Sequence, residues 1–411
     1  MWLFSKFISR MVKRGQLSIR YSNGQTETYG KPDPELKPVA ISFTDKAVPN
    51  FIARNPQLHT AEAFMDGRLV IEQGDIRDLL TLVRANGAWE KGEGSHLSGT
   101  LTQRVKDLGR AYMTRRNFER QSKRNVAHHY DLSDRLYDLF LDRDRQYSCA
   151  YFTDPANSLE QAQADKKAHI ASKLYLKPGL KVLDIGCGWG GMALYLNRVA
   201  DVDVLGITLS EEQLKVARRR AEEAGVADRV KFELVDYRAL TGKFDRIVSV
   251  GMFEHVGTPH YETFFAKCRE LLPADGVMLL HTIGRMGVPG VTDSFTLKYI
   301  FPGGYNPALS EVIGASQKAR LIASDVETLR LHYAHTLNHW YDRTVAARDQ
   351  LIELYDERFF RLWTFYLAGA RVAFIYGNLC NYQIQYIRDR RTLPITRDYM
   401  HAEELRLQPL Q

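Results

Sequence analysis

The spacing of apolar residues changes along the chain, and each change marks a different element. Between residues 2 and 14, Leu3, Phe4, Phe7, Ile8, Met11 and Val12 recur at helical spacing with Lys6, Arg10, Lys13 and Arg14 between them, which predicts a basic amphipathic helix. Such a helix lies in an anionic membrane interface or packs on its own domain, and the pattern fits both. From Leu17 to Tyr21 the period drops to two, Ser22-Asn-Gly24 reads as a tight turn, and Thr26 to Tyr29 alternates again, so a hairpin follows. A small α+β domain is expected over residues 1–94.

Beyond residue 180, short apolar runs alternate with helical stretches. Val182, Leu183 and Ile185 predict a buried strand, Gly186, Gly188, Gly190 and Gly191 a turn, and Met192 to Val199 a helix. Further strands are expected at Val202–Leu209, Val230–Val235, Phe244–Val250, Gly276–Leu280, Ser324–Leu331 and Cys380–Ile387, with two helical stretches between the last two. This is the pattern of an α/β protein with a doubly wound, mostly parallel seven-stranded sheet, beside the smaller N-terminal α+β domain. Residues 285–317 are punctuated by Gly and Pro and break the alternation, so they read as an insertion over the sheet, a candidate lid.

A Gly/Ser-rich stretch from Glu93 to Gly99 suggests a linker, and residues 95–124 form a basic segment between the N-terminal domain and a catalytic domain spanning 125–411. Between Arg104 and Arg124 that segment holds eight basic residues against Asp107 and Glu119, which fits a solvated helix face or attraction to anionic headgroups. The whole chain of 411 residues carries a formal charge of +7, which favours an anionic partner without choosing between nucleic acid and membrane. Four widely spaced cysteines, Cys149, Cys187, Cys268 and Cys380, show no metal-ligand spacing, so no metal site is expected and a reducing cytoplasm is the default. No apolar run approaches the ~18 residues of a membrane span, and the N-terminus lacks a signal-peptide pattern.

The chemistry gathers at Lys181-Val-Leu-Asp-Ile-Gly-Cys-Gly-Trp-Gly-Gly191. Strand, glycine turn and helix open a nucleotide-binding sheet, and Gly186, Gly188 and Gly191 also satisfy the nicotinamide-binding pattern G-x-G-x-x-G. In a dinucleotide domain the second strand ends in an acid for the ribose, whereas here it ends in Thr208-Leu209-Ser210. The nicotinamide reading is therefore disfavoured. Ligands of such sheets bind beyond the carboxyl ends of the strands, which nominates Asp184, Glu254 with His255, and His281 to Gly284; each also reads as a polar residue satisfied at a strand end. If the fourth and fifth strands are neighbours, Glu254 and His281 share one rim.

Six motifs in order resemble the cyclopropane-fatty-acyl-phospholipid synthases and the related mycolic-acid cyclopropane synthases: Tyr147-Ser-Cys-Ala-Tyr-Phe152, Leu183 to Gly190, Gly206-Ile-Thr-Leu-Ser210 with Gln213, Phe253-Glu-His-Val256, Leu271 to Ile283, and Ile300-Phe-Pro-Gly-Gly304. The resemblance runs from about Asn125 to Tyr386 and implies a Rossmann-like methyltransferase that uses S-adenosyl-L-methionine. It implies cofactor contacts at Tyr147, Asp184, Gly186, Gly188, Thr208, Leu209, Gln213, Asp236 and Tyr237. Ser210 to Gln213 also reads as a helix capping box. The implied reaction is transfer of a methylene group to a cis double bond of a phospholipid acyl chain through a carbocation, with bicarbonate as base. Such a site must exclude water and face the cation with aromatic rings.

The resemblance places the bicarbonate at Cys149, Glu254, His281, Ile283 and Tyr333. Glu254 and His281 anchor and polarise it, Tyr333 donates its hydroxyl, and Cys149 and Ile283 contribute backbone amides. Family members often carry a cysteine in the late helix where this chain has Ala370, so no thiol acts there. The aromatic stripe Phe359, Phe360, Trp363, Phe365, Tyr366, Phe374 and Tyr376 fits an acyl channel or ordinary core. Methyl- or methylene-branched products remain open, as does a homodimer; a non-catalytic basic lipid-binding module would have no use for Glu254, His281 and Tyr333. The expected setting is cytoplasmic, at the inner face of an anionic membrane, with no nucleic-acid partner.

Overall fold

The computed structural model describes residues 2–92 and 134–407; the basic segment expected at 95–124 lies outside them. The described residues divide into two compact units, one of 2–92, 291–302 and 337–378, the other of 134–290, 303–336 and 379–407. Residues 291–302 and 337–378, read from the sequence as parts of the catalytic domain, thus group with the N-terminal residues.

In the first unit, β1 (Leu17–Arg20), β2 (Thr26–Tyr29), β3 (Val39–Phe43) and β4 (Leu69–Gln73) form a sheet of order β2-β1-β3-β4, with β1 and β2 as the expected hairpin. The N-terminal helix runs Trp2–Met11. Phe4, Ile8 and Met11 are buried, Phe4 packing edge-on to Phe43 at 5.7 Å, while Lys6 and Arg10 are exposed. Its apolar face therefore belongs to its own domain's core, the second of the two readings open from sequence. The aromatic stripe lies on the Glu357–Ile375 helix and its C-cap Tyr376; Trp363, Phe365, Tyr366 and Phe374 are buried, and Phe365 meets Phe64 and Phe295 within the same unit.

The second unit is built on β5 (Lys181–Ile185), β6 (Asp203–Thr208), β7 (Val230–Leu234), β8 (Arg246–Val250), β9 (Val277–Arg285), β10 (Ile322–Leu329) and β11 (Leu379–Ile387). The order is β10-β11-β9-β8-β5-β6-β7, with β11 antiparallel to both neighbours and β5 to β9 parallel. The winding reverses at β5, so a crevice opens at its carboxyl end. Alternating residues feed two cores: Val182, Val248 and Leu279 face the Leu159–Lys173 and Gly191–Ala200 helices, and Leu183, Ile247 and Leu280 face the Tyr261–Leu271 helix.

Two sequence expectations need correction. β9 does not end at Leu280: it continues to Arg285 because β11 pairs with it residue by residue, so His281 and Ile283 lie in the strand rather than past it. The region 285–317 is not one insertion. Its last part forms the Leu309–Lys318 helix, whose Val312 and Ala315 join the sheet's core.

Candidate active site

The pocket at the end of β5 is lined by all nine residues expected to touch the cofactor: Tyr147, Asp184, Gly186, Gly188, Thr208, Leu209, Gln213, Asp236 and Tyr237. Gly186 has φ +82°, and a Cβ there would stand 2.7 Å from the Met252 side chain, so the turn accepts no larger residue without a shift. Asp184 is buried, its Oδ2 has no hydrogen-bond partner among the described residues, and desolvation raises its pKa to about 7. A buried carboxyl left with an unpaired oxygen beside a pocket fits a ligand that brings its own cationic or donor group. The amino-acid end of S-adenosylmethionine is such a group.

Ser210 caps the Glu211–Glu223 helix by accepting from the Gln213 amide, but the reciprocal half of a capping box is missing. Instead Gln213 Oε1 accepts from the Thr208 hydroxyl at 3.0 Å, which holds the side chain at the pocket wall. Asp236 caps the short Tyr237–Ala239 turn and accepts from Arg238 Nε at 2.9 Å. Tyr147 packs edge-on to Tyr137 and Phe140 at 5.5 and 6.0 Å.

The second set of candidates sits on the neighbouring strands. Glu254 lies in the Phe253–His255 turn after β8, and Ile283 N donates to its Oε1 at 2.6 Å. Its Oε2 is buried without a partner among the described residues, and burial raises the pKa to about 7. The Gly251 amide donates to the His281 carbonyl at 2.9 Å, so β8 and β9 do bring Glu254 and His281 to one rim. The Ile283 amide, expected to face an anion, is engaged by Glu254 instead.

Cys149 is buried, and desolvation pushes its thiol pKa far up, which removes it as a nucleophile. The chain beside it is pinned to the first turn of the His332–Ala346 helix: Ala150 N donates to Thr336 Oγ1 at 3.0 Å and Phe152 N to His332 Nδ1 at 2.9 Å. Tyr333, buried, follows His332 in that turn.

Sequence reasoning missed the Leu159–Lys173 helix. Its Gln163, Lys166 and Lys173 are buried, although such residues at helical spacing read as a solvent face. Lys166 Nζ donates to Gln146 Oε1 at 2.7 Å and Ser148 Oγ at 2.8 Å, gripping the residues on either side of Tyr147. Desolvation lowers its pKa to about 8. Lys166 and Lys173 both act electrostatically on His281, whose own burial already drives its pKa well below the ordinary value, so the imidazole is neutral. His255 is also neutral, its pKa lowered to about 4 by burial at the pocket wall. The strand rim thus carries a carboxyl oxygen that can accept a proton and a neutral imidazole acted on by two ammonium groups.

Known proteins resemble this chain over two stretches of its sequence. A family model described as mycolic acid cyclopropane synthetase matches residues 117–384, and one described as a domain of unknown function matches 3–88. A "probable fatty acid methyltransferase" of Pseudomonas putida is 38% identical over 352 residues, 82% of this chain and 85% of its own. The cyclopropane-fatty-acyl-phospholipid synthase of Escherichia coli K12 is 43% identical over 277 residues, 66% of this chain and 71% of its own. Among solved structures, the mycolic acid cyclopropane synthase CmaA1 complexed with SAH and CTAB superposes with a TM-score of 0.61 at 35% identity, covering 64% of this chain and 97% of that one.

Proposed function

This chain belongs to the mycolic acid cyclopropane synthetase family and is an S-adenosylmethionine-dependent methyltransferase, and from that premise we propose that it transfers a methylene group to the cis double bond of unsaturated acyl chains in membrane phospholipids. The observation that carries the reading is Glu254, a desolvated carboxyl with one unpaired oxygen, next in sequence to the pocket-lining His255. S-adenosylmethionine supplies the activated methyl group when bound. Asp184 offers its buried carboxylate to the ammonium end, Gln213 meets the ribose in place of the usual acid, and Asp236 and Tyr237 flank the base. Lys166, by gripping Gln146 and Ser148, keeps Tyr147 against the cofactor.

Bicarbonate, when bound, supplies the base for ring closure. Glu254 and His281 would hold it, with the Tyr333 hydroxyl and the Cys149 amide, while the Ile283 amide orients Glu254. This arrangement suits a poor nucleophile such as an isolated alkene, because water is excluded and the proton acceptor is already in position.

Membrane association at the inner face belongs to the same reading. No helix among the described residues is long and apolar enough to cross a membrane, and the N-terminal helix keeps its apolar face in its own core, so attraction would come from exposed cations such as Lys6 and Arg10. Raising salt should then release the protein from anionic vesicles, and salt-insensitive binding would count against it.

A second reading is a methyl-branched product from the same methyl transfer; the Pseudomonas putida relative, which spans more of this chain than the synthase of Escherichia coli, is described only as a probable fatty acid methyltransferase and fits either product. Mass spectrometry of lipids from cells expressing the protein decides. A gain of one CH₂ per acyl chain with a ring at the former double bond is expected; a methyl branch would establish the second reading, and no gain would refute both.

A further inference from the structure

The Leu159–Lys173 helix ends in a buried ammonium that is linked to His281 through one side chain. Lys173 Nζ lies 2.8 Å from Gln383 Oε1 and pairs with the Glu327 carboxylate, which also accepts from His169. Gln383 sits opposite His281 in the β9–β11 register, and its Nε2 is 3.1 Å from His281 Nδ1. Each step admits one direction. An ammonium only donates, so the Gln383 atom facing Lys173 must be the amide oxygen, which turns the NH₂ toward the imidazole. An NH₂ only donates, so Nδ1 must present its lone pair. A neutral imidazole has one proton, and it then rests on Nε2.

We propose that Lys173 and Gln383 are positioning residues that lock His281 in the Nε2–H tautomer, so that this nitrogen offers a hydrogen bond and cannot accept a proton. Asn381 lies beside Nε2 at 3.4 Å, a weak contact, and its Oδ1 is buried and unpaired among the described residues. With Nε2 protonated, the NH₂ that faces it makes no hydrogen bond; a half-turn of the amide would pair Oδ1 with Nε2–H, and an anion would then share that proton with Asn381. The chemical consequence reaches the proposed reaction: a histidine fixed as donor can steady an anion but cannot serve as the base at Nε2, which is why a separate proton acceptor is needed. The effect on turnover rests on the proposed function, whereas the tautomer does not.

The test is nitrogen NMR of the full chain labelled with ¹⁵N-histidine, without lipid, with the His281 signals assigned by comparison with His281→Gln. The wild type should show Nε2 protonated and Nδ1 bare. Gln383→Glu keeps the size and the Lys173 partner but replaces the donor by an acceptor, so it should reverse the tautomer. Turnover should then fall about a hundredfold, the cost of losing one aimed donor, with S-adenosylmethionine affinity within about twofold of wild type. Lys173→Arg, which still donates, should retain the wild-type spectrum. A wild type protonated on Nδ1, or a Gln383→Glu protein in which Nδ1 stays bare, would overturn the relay whatever the rates. A reversed tautomer with an unchanged rate would uphold the tautomer lock and contradict the assignment of His281 to the reaction.

Discussion

The glycine-turn pocket and the Glu254–His281 corner both place an incompletely paired carboxyl in a desolvated setting, yet they are built in different ways. Asp184 sits in a strand followed directly by Gly186 and Gly188 of the turn, while Thr208 ends the next strand and Gln213 opens the helix after it. The corner draws Glu254 from the turn after β8, His281 and Ile283 from β9, Gln383 from β11 and Lys173 from a helix more than a hundred residues earlier in the chain. A site at the carboxyl ends of successive parallel strands holds a ligand that brings its own charge. One assembled across the sheet register fixes protons.

The sharpest division between the two regions should appear in Glu254→Gln. Its carboxylate is assigned to the reaction and not to the cofactor, so turnover should fall by about a hundredfold, corresponding to roughly 3 kcal/mol, with calorimetric S-adenosylmethionine affinity unchanged. Equal losses in both quantities would erase the distinction. Asp184→Asn should do the reverse. A hydrogen bond to a charged group contributes ~1.5–3 kcal/mol, so affinity for the cofactor should drop about tenfold or more. A variant that binds as tightly as the wild type would remove Asp184 from the cofactor site.

Smaller, and common to both regions, is a cost in stability. Each carboxyl has a pKa raised to about 7 in the fold, against about 4 in an unfolded chain. Between those values the folded state binds more protons, so stability contributed by the protonated forms is lost as pH rises through 7. Asp184→Asn should therefore raise the melting temperature of ligand-free protein by about 2 °C or more at pH 8, and by less at pH 5. Melting curves that shift equally at both pH values would show that the Asp184 carboxyl is not held neutral by burial.

The same contrast explains what could be read from the chain. Strand periods, the glycine turn and the hairpin are local patterns, and the seven strands with Asp184, Gly186 and Gly188 followed from them, whereas Tyr147, Thr208, Leu209, Gln213, Asp236 and Tyr237 followed from the family resemblance. The extent of β9 was not legible, because β11, some hundred residues later, supplies the hydrogen bonds that carry it to Arg285. Lys166 and Lys173 were missed for a related reason: a lysine signals solvent until the acceptors that permit its burial, Gln146, Ser148 and Gln383, are brought to it by the fold. The N-terminal helix was ambiguous because the face that suits a membrane also suits a core, and Phe43 decided it.

The proposed reaction depends most on the proton leaving to a bound anion rather than to Glu254 or His281. The direct measurement is the initial rate of methylene transfer by the wild type in buffer stripped of dissolved carbonate, repeated as bicarbonate is returned. The rate should fall on removal and recover in a saturable way. A carbonate-free enzyme running at its full rate would contradict a bound anion as base and make the unpaired oxygen of Glu254 the proton acceptor.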